Sequence, residues 1–208
     1  MNAVGICSAA RWSALCSRLG IEPDPQTYDA LVSAHAEAHR AYHTLDHIAA
    51  CLRHLDDVRD LADRPDEIEM ALWFHDAIYA PFSATNEEDS AAWAADWLQD
   101  KGMDKSVIDR ISHHILDTKS HDAPKTTDGQ LMLDIDLSIL GTPEQVYDEF
   151  ETHIRREYRR VPGFIFRKTR KAILEGFLAR ERLYNCGYFY ESLEAQARMN
   201  LKRAISEL

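Results

Sequence analysis

Glycine and proline are scarce, 8 and 7 among 208 residues. A chain with so few turn formers cannot make the many short reversals of an all-β fold, so long helices are favoured. No stretch approaches the ~20 consecutive apolar residues that span a bilayer. The four cysteines, Cys7, Cys16, Cys51 and Cys186, form no CxxC pair, and none has zinc-finger spacing to a histidine. That argues against a disulfide scaffold or a zinc ribbon and for the reduced thiols of a cytoplasmic protein. Met1 to Ala10 makes a poor signal peptide, because no basic segment precedes it and Arg11 interrupts it. Positive charge is also in short supply: 24 Lys and Arg face 35 Asp and Glu, a net charge of −11. A nucleic-acid backbone is repelled by that average field. No nucleic acid is therefore expected as a partner, and, with no spanning stretch, no membrane. A small phosphorylated ligand stays open, since a bound divalent cation reverses the sign inside one pocket.

What is present reads as an ordinary globular protein, with 45% hydrophobic and 28% charged residues. The length suits one domain, 1–208. About ten helical segments are predicted, with no internal repeat or low-complexity linker. Arg11–Leu19 closes at Gly20, and Pro25–His39 follows a proline turn. Thr44 is the expected N-cap of a helix to about Leu61, with Ile48, Cys51, Leu52, Leu55 and Val58 inward. Pro65 suits the first turn of a helix ending near Tyr79. Further helices are expected over Asn86–Lys101, Asp104–Thr118 and Gln130–Leu140. Thr142-Pro143-Glu144-Gln145 reads as a strong start, with Thr142 as cap and Gln145 completing a capping box, for a helix to about Arg160. Two more follow, near Phe166–Tyr184 and Phe189–Leu208.

Chemistry-bearing residues sit on several of these segments. His75 falls on an apolar stripe with Ile68, Ala71, Leu72 and Ile78, and Asp76 follows it directly. A carboxylate at the edge of a buried face is costly unless paired, hydrogen-bonded or metal-bound. Alone, such a pair reads as a structural hydrogen bond. His47 lies 28 residues earlier, a separation that suits two adjacent antiparallel helices and lets both imidazoles converge. A late apolar helix carries Asp134 and Asp136. Imidazole and carboxylate donors suit Zn, Mn, Fe, Ni or Co, and carboxylates with water admit Mg. Two His and two Asp leave coordination positions open, as a catalytic ion needs.

The order His47 … His75-Asp76 … Asp136 resembles the H…HD…D signature of the HD-domain superfamily. The likeness extends to His43-x-x-x-His47, Trp73-Phe74-His75-Asp76-Ala77-Ile78-Tyr79, Asn86-Glu87 and Thr118-Lys119-x-His121. It continues through Asp134-x-Asp136-Leu137-Ser138-Ile139-Leu140-Gly141, Ile154-Arg155-x-Glu157-Tyr158 and Ala197-Arg198-x-Asn200. Together these are similar to a bacterial branch described as predicted metal-dependent HD phosphohydrolases. The resemblance implies a single-domain helical bundle, with its core at about 40–141 and the helices of 142–208 packed on it. It also implies one or two metals at the centre, and hydrolysis of a small phosphorylated metabolite of the nucleotide kind.

On that resemblance His47, His75 and Asp76 are metal ligands. Asp136 is favoured as the fourth, with Asp134 as its support or a substrate contact. The ion is Mn, Mg, Co, Ni, Fe or Zn. Glu87 is the candidate general acid/base, and its alternative is a helix-start charge after the cap Asn86. Arg40, His43, Lys119 and His121 are candidate substrate contacts, although Lys119 and His121 also fit a solvated loop. Arg155, Glu157 and Tyr158 read as structural ion pairing, and Trp73, Phe74, Trp93 and Trp97 as core. Three other functions compete: a diiron oxygenase on the same fold, a non-catalytic ligand-binding module, and a helical interaction protein without metal.

Overall fold

Helix starts in the first half of the chain follow local chemistry. In the computed structural model, which describes residues 3–120 and 124–208, a four-residue helix α1 (Ala3–Ile6) leads into α2 (Ala9–Arg18), where Ser8 accepts a hydrogen bond from the N–H of Arg11. Gly20, with φ of 74°, closes α2 in the left-handed region that favours glycine. Asp24 accepts from the N–H groups of Gln26 and Thr27 and starts α3 (Pro25–Ala34). Thr44 accepts from the N–H of Asp46 and starts α4 (Leu45–Val58). Each cap satisfies an N–H group that the helix itself cannot.

The chain continues through a 3-10 turn (Arg59–Leu61), α5 (Pro65–Phe74), α6 (Asn86–Asp100), α7 (Lys105–Ser120) and α8 (Thr127–Asp136). A second 3-10 segment (Leu137–Gly141) precedes α9 (Glu144–Glu157), α10 (Gly163–Leu178) and α11 (Gly187–Glu207). The fold is all-α, with no strand among the described residues. Among the described residues no helix is long and apolar enough to cross a membrane. All four cysteines are free thiols.

Two compact units make up the chain, Met1–Leu133 and Asp134–Leu208, dividing within α8. In the first, α5 is the central helix and packs on α2, α4, α6 and α7. Every residue from Glu67 to Phe74 is buried. Ile48, Cys51, Leu52, Leu55 and Val58 of α4 are buried as their spacing predicts, and full burial of a large aliphatic side chain contributes about 1.5–3 kcal/mol. Trp12 meets Trp73 edge-on at 5.5 Å between ring centroids, and Trp97 at 5.3 Å. Phe74 adds Trp93 at 5.6 Å, so the aromatic residues form one cluster in this core.

A buried carboxylate ties three elements together. Glu69 accepts from Arg11 (2.7 Å) and Arg18 (2.8 Å) of α2 and from Arg59 (2.9 Å) after α4. Asp66 also pairs with Arg18 and Arg59. The second unit packs α11 against the Leu137–Gly141 segment. A Cβ on Gly141 would stand 2.5 Å from the Cβ of Leu193, so glycine permits this approach. Asn200 donates to the carbonyls of Leu140 and Thr142, both at 2.8 Å.

Several predicted boundaries are corrected. α3 ends at Ala34 rather than His39, and α5 at Phe74 rather than Tyr79. Ile78 is consequently exposed instead of joining the apolar stripe. Thr142 does not cap α9: its hydroxyl donates to the carbonyl of Ile139, and Pro143 takes the cap position with no side-chain bond. Asn86 is not a cap either, because its amide binds both the N–H and the carbonyl of Ala80.

Two predictions test this packing. Glu69→Ala leaves three arginines facing a buried gap and is expected to cost about 3–5 kcal/mol in urea unfolding. Disrupting the exposed Lys105–Asp109 pair should cost less than about 1 kcal/mol, and equal effects would refute the role of Glu69. The second concerns Asp24. Burial opposes its ionisation, but hydrogen bonds from Thr27, Trp97 and Lys101 outweigh that and hold its carboxyl well below the ordinary range. A depressed folded pKa contributes stability above the unfolded value of about 3.9 and loses it as pH falls. Unfolding midpoints measured from pH 5 downward should therefore drop less steeply in Asp24→Asn than in the wild type.

Candidate metal centre

Because α5 stops at Phe74, His75 and Asp76 stand on the turn that follows it. The N–H of His75 still donates to the carbonyl of Ala71 at 2.8 Å. Beyond it the backbone is irregular, and side chains satisfy its polar groups. Arg40 donates to the carbonyls of Asp76 (2.6 Å) and Ala77 (3.0 Å). The hydroxyl of Ser90 serves Ile78 on both sides, accepting from its N–H at 3.0 Å and donating to its carbonyl at 3.3 Å. His39 reaches the carbonyl of Tyr79 through Nε2 at 2.7 Å, so that nitrogen carries the proton. Asn86 completes the set at Ala80. Buried backbone groups must be paired, and here four side chains do what a helix would otherwise do.

Arg40 also donates to the carbonyl of His43 at 3.1 Å, and to Glu37 at 3.1 Å. Its guanidinium thereby joins the segment before α4 to the turn after α5. Arg40 is buried, and the structure uses it as a clamp rather than as a solvent-facing substrate contact. The segment it holds runs straight into Thr44, the cap of α4, and so places His47 in the first turn of that helix.

The two imidazoles meet as a result. His47 Nε2 lies 3.1 Å from His75 Nε2. Asp76 Oδ2 is 3.1 Å from His75 Nε2 and 3.5 Å from His47 Nε2. His75 Nδ1 donates to the carbonyl of Leu72 at 3.0 Å, which turns Nε2 toward the other two side chains. Imidazole nitrogens and a carboxylate oxygen are donor types that a divalent ion takes. Donors bound at about 2.1 Å to one ion, at right or tetrahedral angles, stand about 3.0–3.4 Å apart, close to the spacing seen here. The donors fit a divalent metal ion, and His47 and His75 are residues able to hold one.

Electrostatics agree. Burial opposes ionisation of Asp76, but the charges of His75 and His43, the hydrogen bond with His75 and the charge of His47 outweigh it, so the carboxyl is held well below its ordinary range. His43 stacks on Tyr79 at 4.1 Å and lies 6.2 Å from His47 between ring centroids. His35 is buried with neither ring nitrogen bonded. Burial, then the Arg40 charge, pushes its pKa down to about 3 and keeps it neutral.

The remaining predicted residues divide by position. Glu87 is half-buried in the first turn of α6. Lys119 pairs with Glu88 and donates to the carbonyl of Ala84 at 2.6 Å, tying the end of α7 to the loop before α6. His121 lies outside the described residues. In the second unit, Asp134 is fully buried and accepts from the N–H of Asn185 (2.9 Å), its side-chain amide (2.9 Å) and the N–H of Cys186 (2.6 Å). These bonds occupy its carboxylate at the start of α11, in place of a substrate contact. Asp136 ends α8 and is half-exposed. Sequence reasoning missed His35, His39, Ser90 and the Asn185–Cys186 pair. His39 and Arg40 in succession after a helix end were the one available signal, as cationic side chains commonly bind late helix carbonyls.

Arg40→Gln should leave buried carbonyls of Asp76 and Ala77 unpaired and lower stability by about 3 kcal/mol. Arg40→Lys should recover only part of that, since one ammonium cannot span the carbonyls a planar fork reaches. Urea unfolding checks both, and full recovery by lysine would refute the clamp. Compared with protein-family models, with curated proteins and with solved structures, the chain matches none.

Proposed function

We propose that this chain is a metal-dependent phosphohydrolase of the HD-domain type, acting on a small phosphorylated metabolite of the nucleotide class. The observation that carries this reading is the convergence of His47 Nε2, His75 Nε2 and Asp76 Oδ2 at 3.1–3.5 Å. The resemblance of His47 … His75-Asp76 … Asp136 to the superfamily's signature supports it. In this reading the resemblance makes Asp136 the fourth donor. Asp134 is the weaker candidate because three N–H groups already occupy its carboxylate.

His47, His75, Asp76 and Asp136 would hold a divalent ion, whose chemistry there would be to lower the pKa of a water and to draw charge from a phosphoryl oxygen. The protein's own groups do the rest. The Leu72 carbonyl fixes the His75 tautomer. The Asp76 carboxyl stays ionised throughout the neutral range. His43, in its stack on Tyr79, is the substrate contact nearest the ligands. Glu87 is the candidate general acid/base.

Protein stripped by a chelator should lose phosphatase or nucleotidase activity, and Mn, Co, Ni or Mg should restore it. His75→Ala and Asp76→Ala should lose bound metal and several orders of magnitude in turnover. Glu87→Gln should keep the metal while turnover falls by roughly 10²–10⁴-fold and one limb of the pH–rate profile flattens. Asp136→Asn should lower metal affinity and Asp134→Asn chiefly stability. Unchanged turnover after chelation and after both ligand substitutions would overturn the assignment.

A further inference from the structure

Charge in this chain is unevenly placed. Residues 155–171 hold eight Lys and Arg against one Glu, while the rest of the chain holds 16 cations against 34 carboxylates. The stretch forms the end of α9, a turn, and most of α10. Arg156, Arg159, Arg160, Arg167, Lys168 and Lys171 are all exposed. Apolar side chains stand among them: Phe164 is 69% exposed and Ile165 44%. Only Leu174 of α10 is buried. The corner is also held in shape. Arg155 donates to the carbonyls of Tyr158 (2.8 Å) and Val161 (3.1 Å), and its guanidinium lies 4.7 Å from the centre of the Phe166 ring.

We infer that this corner is a docking surface for an anionic lipid bilayer. Cations on a short amphipathic helix are drawn to acidic headgroups. Phe164 and Ile165 would enter the acyl boundary, while the arginine and lysine stems extend along it and keep their charged ends at the phosphates. A two-fold contact with a second copy would set these cations against themselves. A nucleic acid would satisfy the charges but leave Ile165, which has no π-face for stacking, uncovered. The expectation of no membrane partner concerned spanning segments, and none is needed here. The surface lies wholly in the second unit and does not depend on the proposed metal chemistry.

The test is flotation of the full chain with vesicles of phosphatidylcholine alone and of phosphatidylcholine with 30% phosphatidylserine. Binding is expected only to the anionic vesicles and should weaken at least about tenfold between 0.1 M and 0.5 M salt. Each lost cation should weaken it about fivefold, so Arg159→Glu/Arg160→Glu should abolish it. Phe164→Ser/Ile165→Ser should reduce it about tenfold or more with helicity unchanged by circular dichroism. No binding to anionic vesicles overturns the proposal. So does binding that the apolar pair leaves unaltered, or capture of a duplex or single-stranded oligonucleotide without capture of vesicles.

Discussion

One guanidinium decides how the candidate centre is built. Arg40 draws the carbonyls of His43, Asp76 and Ala77 to a single group, and these belong to the two irregular segments that flank the ligands. Neither segment has the repeating hydrogen bonds that would hold it alone. With the clamp in place, α4 begins where Thr44 can cap it and His47 faces His75. The cost of burying the charge is offset because each guanidinium nitrogen finds a carbonyl or carboxylate, the condition under which buried cations are tolerated.

The helices behind the centre serve the same geometry. α5 is buried along most of its length, and Glu69 fixes it through three arginines. His75 therefore rides on a rigid element up to its last turn, and the Leu72 carbonyl sets its tautomer. Positions of this kind keep donor atoms within the few tenths of an ångström that ligation or proton transfer requires. A surface cleft along α9, lined by Glu144, Gln145, Asp148, Glu149, Thr152 and His153, carries three carboxylates and no Lys or Arg, which disfavours a phosphate.

Legibility in the sequence followed locality. Thr44, Gly20 and the inward face of α4 were readable because a cap, a left-handed turn and a 3.6-residue period each depend on near neighbours. His47 and His75-Asp76 were readable as a pair, and their convergence is observed. Arg40 was read as a substrate contact and Asp134 as a support for Asp136 or a substrate contact, and the hydrogen bonds they make were not legible because their partners lie 36 and 51 residues away. Thr142 and Asn86 matched cap chemistry equally well, yet their side chains went to Ile139 and Ala80. Two ways to satisfy a short polar side chain differ by about 1 kcal/mol, and packing chooses between them.

The sequence alone determined an all-helical chain with free thiols, and the order of the candidate metal-binding residues. Composition and helical periodicity sum over many residues, so no single contact can overturn them. Only the tertiary structure decided that α3 and α5 stop short, that Arg40 bridges their ends, and that Asp134 is spent on Asn185 and Cys186. Those outcomes depend on hydrogen bonds between distant residues, whose worth appears only once burial removes water as the competing partner.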